Sequence, residues 1–462
     1  MQVALASWRP VYAGKRLKLE QFRVLADDEI EAIHRTALTI LSEIGAIVNL
    51  PEAVELLAGA GADIDGNRVR ISSEVVSEAL AQKPKDVVLY DQQGEGIRLG
   101  GDRHFHFSGA YNLNVLDYGH DEARPARLED VVLFTRLADA LPEIDGVIPH
   151  VLALDQPENS REQATYRATL ENTKKHCLAA PMSYEGAEAW VELGLSVSAD
   201  PSRPAVSMVI ADAPLLQWDS ESLRAGILAA KEGIPLFIMA GAMGGMAGPI
   251  TIAGCMPIKF AQCLLAVVLV QAIRPGAPVA YAGAGHSFMD MRSGEIVMAG
   301  PEHFLGTIAG TQMAAFYGLP SYTCSLLSNS KVPDQQTGLE KFGCLFSAVG
   351  GGVSVSNNAG LLANGTIGSL EQMVIDHEML LMARRMSKGI TVNEETLALD
   401  VVRQVGPGGT FLATDHTLKH LRNGENLYLT ILDRSPVKAE HQPLWDRAHA
   451  EVERILADSK TS

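Results

Sequence analysis

Disulfide chemistry is the first thing this sequence lacks. Its 462 residues contain five cysteines, Cys177, Cys255, Cys263, Cys324 and Cys344. The count is odd and no pair has C-x-x-C spacing, so neither a disulfide framework nor a thiolate zinc site is indicated. Positive charge is also in deficit: 38 Lys and Arg stand against 55 Asp and Glu, a formal net charge of −17. Such a surface repels phosphate backbones and anionic lipid, which disfavours nucleic acid and membranes as partners. The opening MQVALASWRPVYAGKRLKLE lacks the apolar run of a secretory signal, so the expected location is the cytoplasm. Residues 233–258 carry no acidic or basic side chain, yet Pro235, Pro249, Pro257 and several glycines suit a buried strand and loop better than a membrane helix. What remains is globular composition, 47% apolar and 20% charged.

Short uncharged apolar runs alternate with longer segments of helical spacing. The runs fall at 104–108, 146–153, 177–183, 205–212, 236–241, 279–285, 322–327 and 353–359. The helices predicted after them fall at 128–141, 160–173, 185–197, 220–231, 258–273, 301–317, 334–349 and 369–386. Eight βα units over roughly 280 residues match the size of a (β/α)8 barrel. The runs are apolar on both faces, as parallel strands covered by helices must be. Ser220, Ser369 and Pro301 stand where helices begin. An open doubly wound sheet is compatible with the same alternation, but eight units in one unbroken series favour closure. The predicted fold is therefore α/β, a (β/α)8 TIM barrel at 101–386. A mostly helical N-terminal extension at 1–100 and a helical C-terminal extension at 387–462 flank it.

In such a barrel the chemistry sits at the carboxyl ends of the strands. Those ends read SGAYN at 108–112, His150, Ser183-Tyr184, Asp212, MAGAMGGMAGP at 239–249, GAGHS at 283–287, SNSKVPDQQTGLE at 328–340 and SNNAG at 356–360. No clustered set of hard metal ligands appears. His104 and His106 form an H-x-H pair that needs ligands from elsewhere, and satisfied histidines are the simpler reading. His416 and His420 lie in the C-terminal extension without an H-E-x-x-H. Asp376, His377 and Glu378 are expected on the outer face or end of the eighth helix. The glycine-rich stretch after the fifth run lacks both the P-loop and the G-x-G-x-x-G order, so it signals close backbone approach, not phosphate. There is no G-x-S-x-G elbow. The mouth instead offers aromatic faces (Tyr111, Tyr184, Phe288, Tyr322), neutral amides (Asn112, Asn329, Gln335, Asn357, Asn358) and four ionisable groups (Asp212, His286, Asp334, Glu340). Aromatic faces with few polar groups suit an alkylammonium ligand.

Several segments resemble the trimethylamine methyltransferase (MttB-like) family: TILSEIGAIV at 39–48, RLADALPEID at 136–145, SNSKVPDQQTGLEK at 328–341 and SLEQMVIDHEML at 369–380. The longest is GITVNEETLALDVVRQVGPGGTFLATDHTLKHLR at 389–422. The resemblance implies a TIM barrel and methyl transfer to the cobalt of a corrinoid (cobalamin) carried by a separate corrinoid-binding protein, with no cofactor held tightly by this chain. Founding members carry pyrrolysine, which this sequence lacks, so it resembles the pyrrolysine-free branch, for which glycine betaine or a related betaine is the expected methyl donor. A quaternary ammonium leaves as a neutral amine and needs no general acid, so the protein's task is placement. On this reading Tyr111 is a cation face, Asn112 and His286 are polar positioners, and Asn329 and Gln335 bind substrate. Asp334 or Glu340 balances the cation as a catalytic carboxylate, or else opens a helix. No metal site and a homo-oligomer are expected. Two alternatives stand beside it: a zinc-assisted methyltransferase or hydrolase using His104, His106 and His286, and a protein that binds a betaine without turnover.

Overall fold

A computed structural model describes residues 21–101, 103–213, 215–437 and 441–458. Eight parallel strands close into a barrel in sequence order: β1 (Phe105–Ser108), β2 (Gly146–Val147), β3 (His176–Ala179), β4 (Val206–Ala211), β5 (Leu236–Met239), β6 (Val279–Ala282), β7 (Ser321–Cys324) and β8 (Val355–Ala359). The predicted closure holds. The helices that follow them are α1 (Leu128–Ala140), α2 (Arg161–Glu171), α3 (Tyr184–Val197), α4 (Ser220–Glu232), α5 (Ile252–Ile273), α6 (Pro301–Phe316), α7 (Gln335–Gly350) and α8 (Leu370–Ser387). Several carry side-chain caps at the end nearest the strand tips. Ser183, Asp219, Thr251, Asp334 and Ser369 each accept a backbone N–H from the first turn of α3, α4, α5, α7 and α8. Each cap also fixes the loop that delivers the chain from strand to helix.

The barrel interior is a packed apolar column. Phe105, Phe107, Ile148, Leu178, Val209, Phe237, Ala280, Tyr322 and Val355 form one buried cluster. The hairpin Val88–Tyr90/Gly96–Arg98 closes its amino-terminal end, adding Val87, Leu89 and Leu99 to the same cluster. His176, which opens β3, meets the Tyr90 carbonyl through Nδ1 at 2.7 Å. The plug separates the column from the amino-terminal side, and in barrels of this kind the chemistry sits at the carboxyl ends of the strands.

α5 begins at Ile252, six positions earlier than the sequence reading placed it, with Pro257 inside its second turn. By length and hydropathy it is apolar enough to cross a membrane, yet most of it is buried within the protein. It packs against the barrel on one side, and the helices Asp27–Thr39, Pro51–Gly59 and Ser73–Gln82 lie across the other. A helix covered on both sides needs no polar face, which explains its composition. The region before the barrel also contains short strands that the sequence reading did not anticipate. Ala46–Val48, Asp63–Asp65 and Arg68–Arg70 pair into a small sheet with Gln217–Trp218 from the loop after β4. After the barrel, Leu444–Asp458 packs on α8 and α1.

Two histidines and one acidic trio find their places here. His104 and His106 alternate with the inward Phe105 and Phe107, so they face the helix layer. The Ser356 hydroxyl lies 2.8 Å from His106 Nδ1 and 3.1 Å from His104 Nε2, while His104 Nδ1 meets the Val353 carbonyl at 2.9 Å. The trio at 376–378, expected on the outer face or end of the eighth helix, is buried in its middle. Asp376 and Lys341, both fully buried, pair at 2.7 Å, and Asp376 also accepts the Gly360 N–H and the Gln372 amide. This ion pair ties α7 and α8 to the carboxyl end of β8.

Candidate active site

Alternation along the strands sets what faces the mouth. The uppermost inward positions are Gly109, Ala180, Ala211, Met239, Ala282, Cys324 and Asn357. Small residues dominate, so the ring leaves space. Above β5, β6 and β7 lies a cavity of about 140 Å³, lined by Met239, Ala282, Met298, Tyr322 and Cys324, with Lys259 and His286.

The ionisable groups on this side hold the loops. Lys259, on α5, donates to the carbonyls of Gly283 and Gly285, and burial lowers its pKa to about 8. Asp212, after β4, accepts the Gly241 N–H at 2.9 Å and the Gln262 amide. Burial raises its pKa to about 7. His303, on α6, meets the carbonyls of His286 and Cys324 through its two ring nitrogens at 3.0 and 2.9 Å. Burial lowers the pKa of His286 to about 4, so this ring is neutral at pH 7. The glycine-rich stretch predicted to allow close approach does so to the protein's own side chains. A Cβ on Gly244 would stand 3.2 Å from His286 Nε2, and one on Gly248 2.9 Å from Cys255 Sγ.

Across the mouth, the loops after β8 and β1 are held by backbone and amide contacts. Tyr111 (φ 35°), Leu326 (φ 52°) and Asn358 (φ 84°) occupy the left-handed region, each at a cost of roughly 1–3 kcal/mol. Strain of this kind persists only where surrounding contacts over-determine the backbone. Asn112 supplies some of them: its N–H donates to the His150 carbonyl and its carbonyl accepts the Leu152 N–H, both at 2.9 Å. Its side-chain amide is buried with no partner at either atom among the described residues. Tyr111 stands edge-on to Tyr166 at 6.3 Å and accepts the Ala180 N–H at 3.3 Å.

Asn357 donates its Nδ2 to the Gly109 carbonyl at 3.1 Å, and Asn329 donates its Nδ2 to the Ile296 carbonyl at 2.9 Å. A carbonyl only accepts, so each amide must present its nitrogen there and its oxygen elsewhere. Both oxygens are buried and have no donor among the described residues. In the strand register Asn357 lies beside Cys324, which lines the cavity.

The loop after β7 separates the remaining candidates. Asp334 is exposed and caps α7, accepting the Thr337 N–H at 2.9 Å. That contact holds its carboxyl below the usual range. Gln335 is exposed on the first turn of the same helix. Glu340 accepts from the Ser328 hydroxyl at 2.7 Å, the Asn329 N–H at 2.9 Å and the Gln336 amide at 2.9 Å. The structure thus gives Asp334 and Glu340 work in building the loop, which is the helix-start alternative for Asp334 and a loop brace for Glu340. Tyr111 and Asn112 stand on one side of the mouth, His286 in the cavity on the other. His104 and His106, facing the helix layer, do not join His286. Among the described residues no three His, Cys, Asp or Glu side chains group as metal ligands. Sequence reasoning missed Lys259, Gln262 and His303, which reach the mouth from helices; the lone charge in the apolar α5 is a signal that marks Lys259.

A closed barrel with a cavity at the carboxyl ends of its strands is the arrangement of a barrel enzyme. The family model for trimethylamine methyltransferase (MTTB) matches residues 5–461, and the chain belongs to that family. It is 30% identical over 452 residues to a glycine betaine methyltransferase from Desulfitobacterium hafniense (strain Y51), covering 95% of this chain and 93% of that one. It is 29% identical over 459 residues to the trimethylamine methyltransferase MttB of Methanosarcina barkeri (strain Fusaro / DSM 804), covering 96% and 92%. Among solved structures, the Methanosarcina barkeri monomethylamine methyltransferase MtmB has the same fold, with a TM-score of 0.55 at 11% identity over 94% of this chain and 89% of that one.

Proposed function

We propose that this protein moves a methyl group from a quaternary amine, glycine betaine or a related betaine, to a corrinoid carried by a separate protein. The observation that carries the reading is the state of the ionisable groups at the mouth. Asp212, Lys259, His303, Asp334 and Glu340 are all engaged with the protein's own loops. Each is committed to the loops, and the capacity left over among the described residues is one N–H of Lys259 and the Nδ1 of the neutral His286. A quaternary ammonium requires no acid, base or protein nucleophile, because its amine departs neutral. What it requires is a pocket that holds a cation without donating hydrogen bonds to it, and the unpartnered oxygens of Asn329 and Asn357 supply partial negative charge of that kind. The 30% identity to a glycine betaine methyltransferase, together with the lack of pyrrolysine in this sequence, favours a betaine over trimethylamine.

A reduced corrinoid supplies a strongly nucleophilic metal that accepts the methyl carbon. The mouth fits a partner that brings such a macrocycle from outside. Leu113, Met182, Leu215, Met246, Ile250 and Met291 are exposed on the loops after β1, β3, β4, β5 and β6, so apolar surface surrounds the opening. Methionines adapt to a partner's shape because their side chains are flexible and polarisable. The residues of this chain then have three tasks: to seat the cation below the rim, to orient one N-methyl outward and to keep water from the reacting carbon.

The test is turnover. Purified protein is mixed with reduced cobalamin and glycine betaine, proline betaine, carnitine or trimethylamine, and methylation is followed by absorbance. Methylation with at least one betaine and none with trimethylamine is expected. Tight betaine binding with no methylation of either free cobalamin or a corrinoid-binding protein would overturn the proposal.

A further inference from the structure

Two buried donors of the cavity have capacity that the protein leaves unused. An ammonium carries three N–H donors. Lys259, 3% exposed, places two of them on the carbonyls of Gly283 and Gly285, and the third has no partner among the described residues. His286, 1% exposed, has its Nδ1 without a partner among the described residues. Both side chains line the same cavity, whose remaining wall is Met239, Met298, His303, Tyr322, Cys324 and small residues. The nearest carboxylate, Asp212, already accepts the Gly241 N–H and the Gln262 amide.

A buried cation that feels Asp212 only across a distance, and keeps one donor uncommitted, can take a ligand's anionic group in direct contact. A permanently cationic ligand without an anionic group would be repelled by Lys259. A ligand carrying a carboxylate would bring that group, and the imidazole Nδ1 offers a second donor in the tautomer that protonates it. We propose that Lys259 and His286 bind the carboxylate of a zwitterionic methyl donor, and that Lys259 sets the pocket's selectivity against quaternary amines that lack one. This rests on the methyl-donor reading above and adds the group that reads the donor's far end. It assigns the donor's two ends to opposite sides of the mouth: carboxylate at Lys259 and His286, ammonium toward the amide oxygen of Asn357.

The experiment is calorimetric titration of the full chain with glycine betaine and with choline, which shares the trimethylammonium but has no carboxylate. Wild type is expected to prefer glycine betaine. Lys259→Met should weaken glycine betaine by about 30-fold and leave choline within about 3-fold, since charge-assisted hydrogen bonds are the stronger class. Lys259→Arg should recover part of the loss. His286→Phe, which does not touch the Gly283 and Gly285 carbonyls, should weaken glycine betaine by roughly 5-fold and serves if Lys259→Met fails to fold. Equal losses for both ligands would reduce Lys259 to a loop brace and overturn the assignment while leaving the methyl-donor reading intact. Binding of neither ligand by wild type would overturn the carboxylate assignment and, with it, glycine betaine as the methyl donor.

Discussion

Around the mouth, the loops after β4, β5 and β6 are braced by Asp212, Lys259 and His303, whereas those after β8 and β1 rest on amides, serines and strained backbone and the β7 loop on the less buried Asp334 and Glu340. On the first side burial shifts the titratable groups from their usual pKa, raising Asp212 and lowering Lys259, His286 and His303. On the second, the inward-facing polar groups are amides and hydroxyls that stay neutral at any pH of interest, above the buried Lys341–Asp376 pair. The difference has a direct consequence for a zwitterion. A positive nitrogen is best placed where no buried cation faces it, and a carboxylate where one does. The arrangement therefore gives the ligand a direction before any substrate is considered.

The comparison breaks most severely from below the amide side. Lys341 and Asp376 have no exposed surface, and Asp376 also holds the Gly360 N–H at 2.7 Å. Lys341→Met leaves a buried carboxylate without its counter-charge, for an expected loss of about 3–5 kcal/mol. Urea unfolding at pH 7 measures it. A loss below about 1 kcal/mol would show that the pair does not anchor β8, and the strain at Asn358 would need another support.

Next in size is the amide itself. Asn357→Leu removes the oxygen proposed to face the ammonium and should weaken glycine betaine and choline alike, by about 10-fold or about 1.4 kcal/mol. That common loss is the counterpart of the carboxylate-specific loss expected at Lys259. If Asn357→Leu weakened only glycine betaine, the two ends of the ligand would have to be exchanged. Because Asn357 Nδ2 also holds the Gly109 carbonyl, Asn357→Ser is a useful companion: it keeps a small acceptor and should lose less.

How much of this was legible depended on where a residue sits in the chain. The strands were readable because a parallel strand covered on both faces must be an uncharged apolar run, and eight such runs imply closure. From sequence α5 reads short because Pro249, Pro257 and the glycines around them suit a strand and loop. Thr251 caps the helix ahead of Pro257, and that proline's missing N–H falls in the second turn of a helix buried on both sides. Tyr111, Asn112, His286 and Asn329 are candidates that the sequence offers because they follow the strands closely. Lys259 and His303 are not, because helical periodicity says which face of α5 or α6 is buried but not which turn meets the mouth. Asp334 shows the opposite difficulty: a carboxylate three residues before Thr337 has the same spacing whether it caps a helix or meets a substrate, and only the 2.9 Å contact decides. Asn357 was visible as a residue type, but the commitment of its nitrogen to Gly109, which leaves the oxygen free, needed coordinates.

The smallest effect tests whether the ionisable side is structural at Asp212. Its native pKa stands near 7, above the ordinary 3.8, because burial outweighs the Gly241 N–H and Lys259. Between those values the native state binds more protons than the unfolded chain, so stability should fall as pH rises from about 4 to about 7. Asp212→Asn should flatten that part of the profile. The change suits the site: the asparagine oxygen keeps the Gly241 N–H, its new N–H2 faces Gln262, and the Gln262 oxygen, buried and without a donor among the described residues, becomes its acceptor once that amide turns over. The expected gain at pH 8 is on the order of 1 kcal/mol, because Asp212 keeps some contact with solvent that moderates the burial cost. Thermal unfolding of both proteins from pH 4 to 8 reads it. An unchanged slope would show that Asp212 does not titrate in this window. A loss of glycine betaine binding with stability intact would instead move Asp212 from bracing the loop to touching the ligand, and the two sides of the mouth would no longer divide the work between the ligand's two charges.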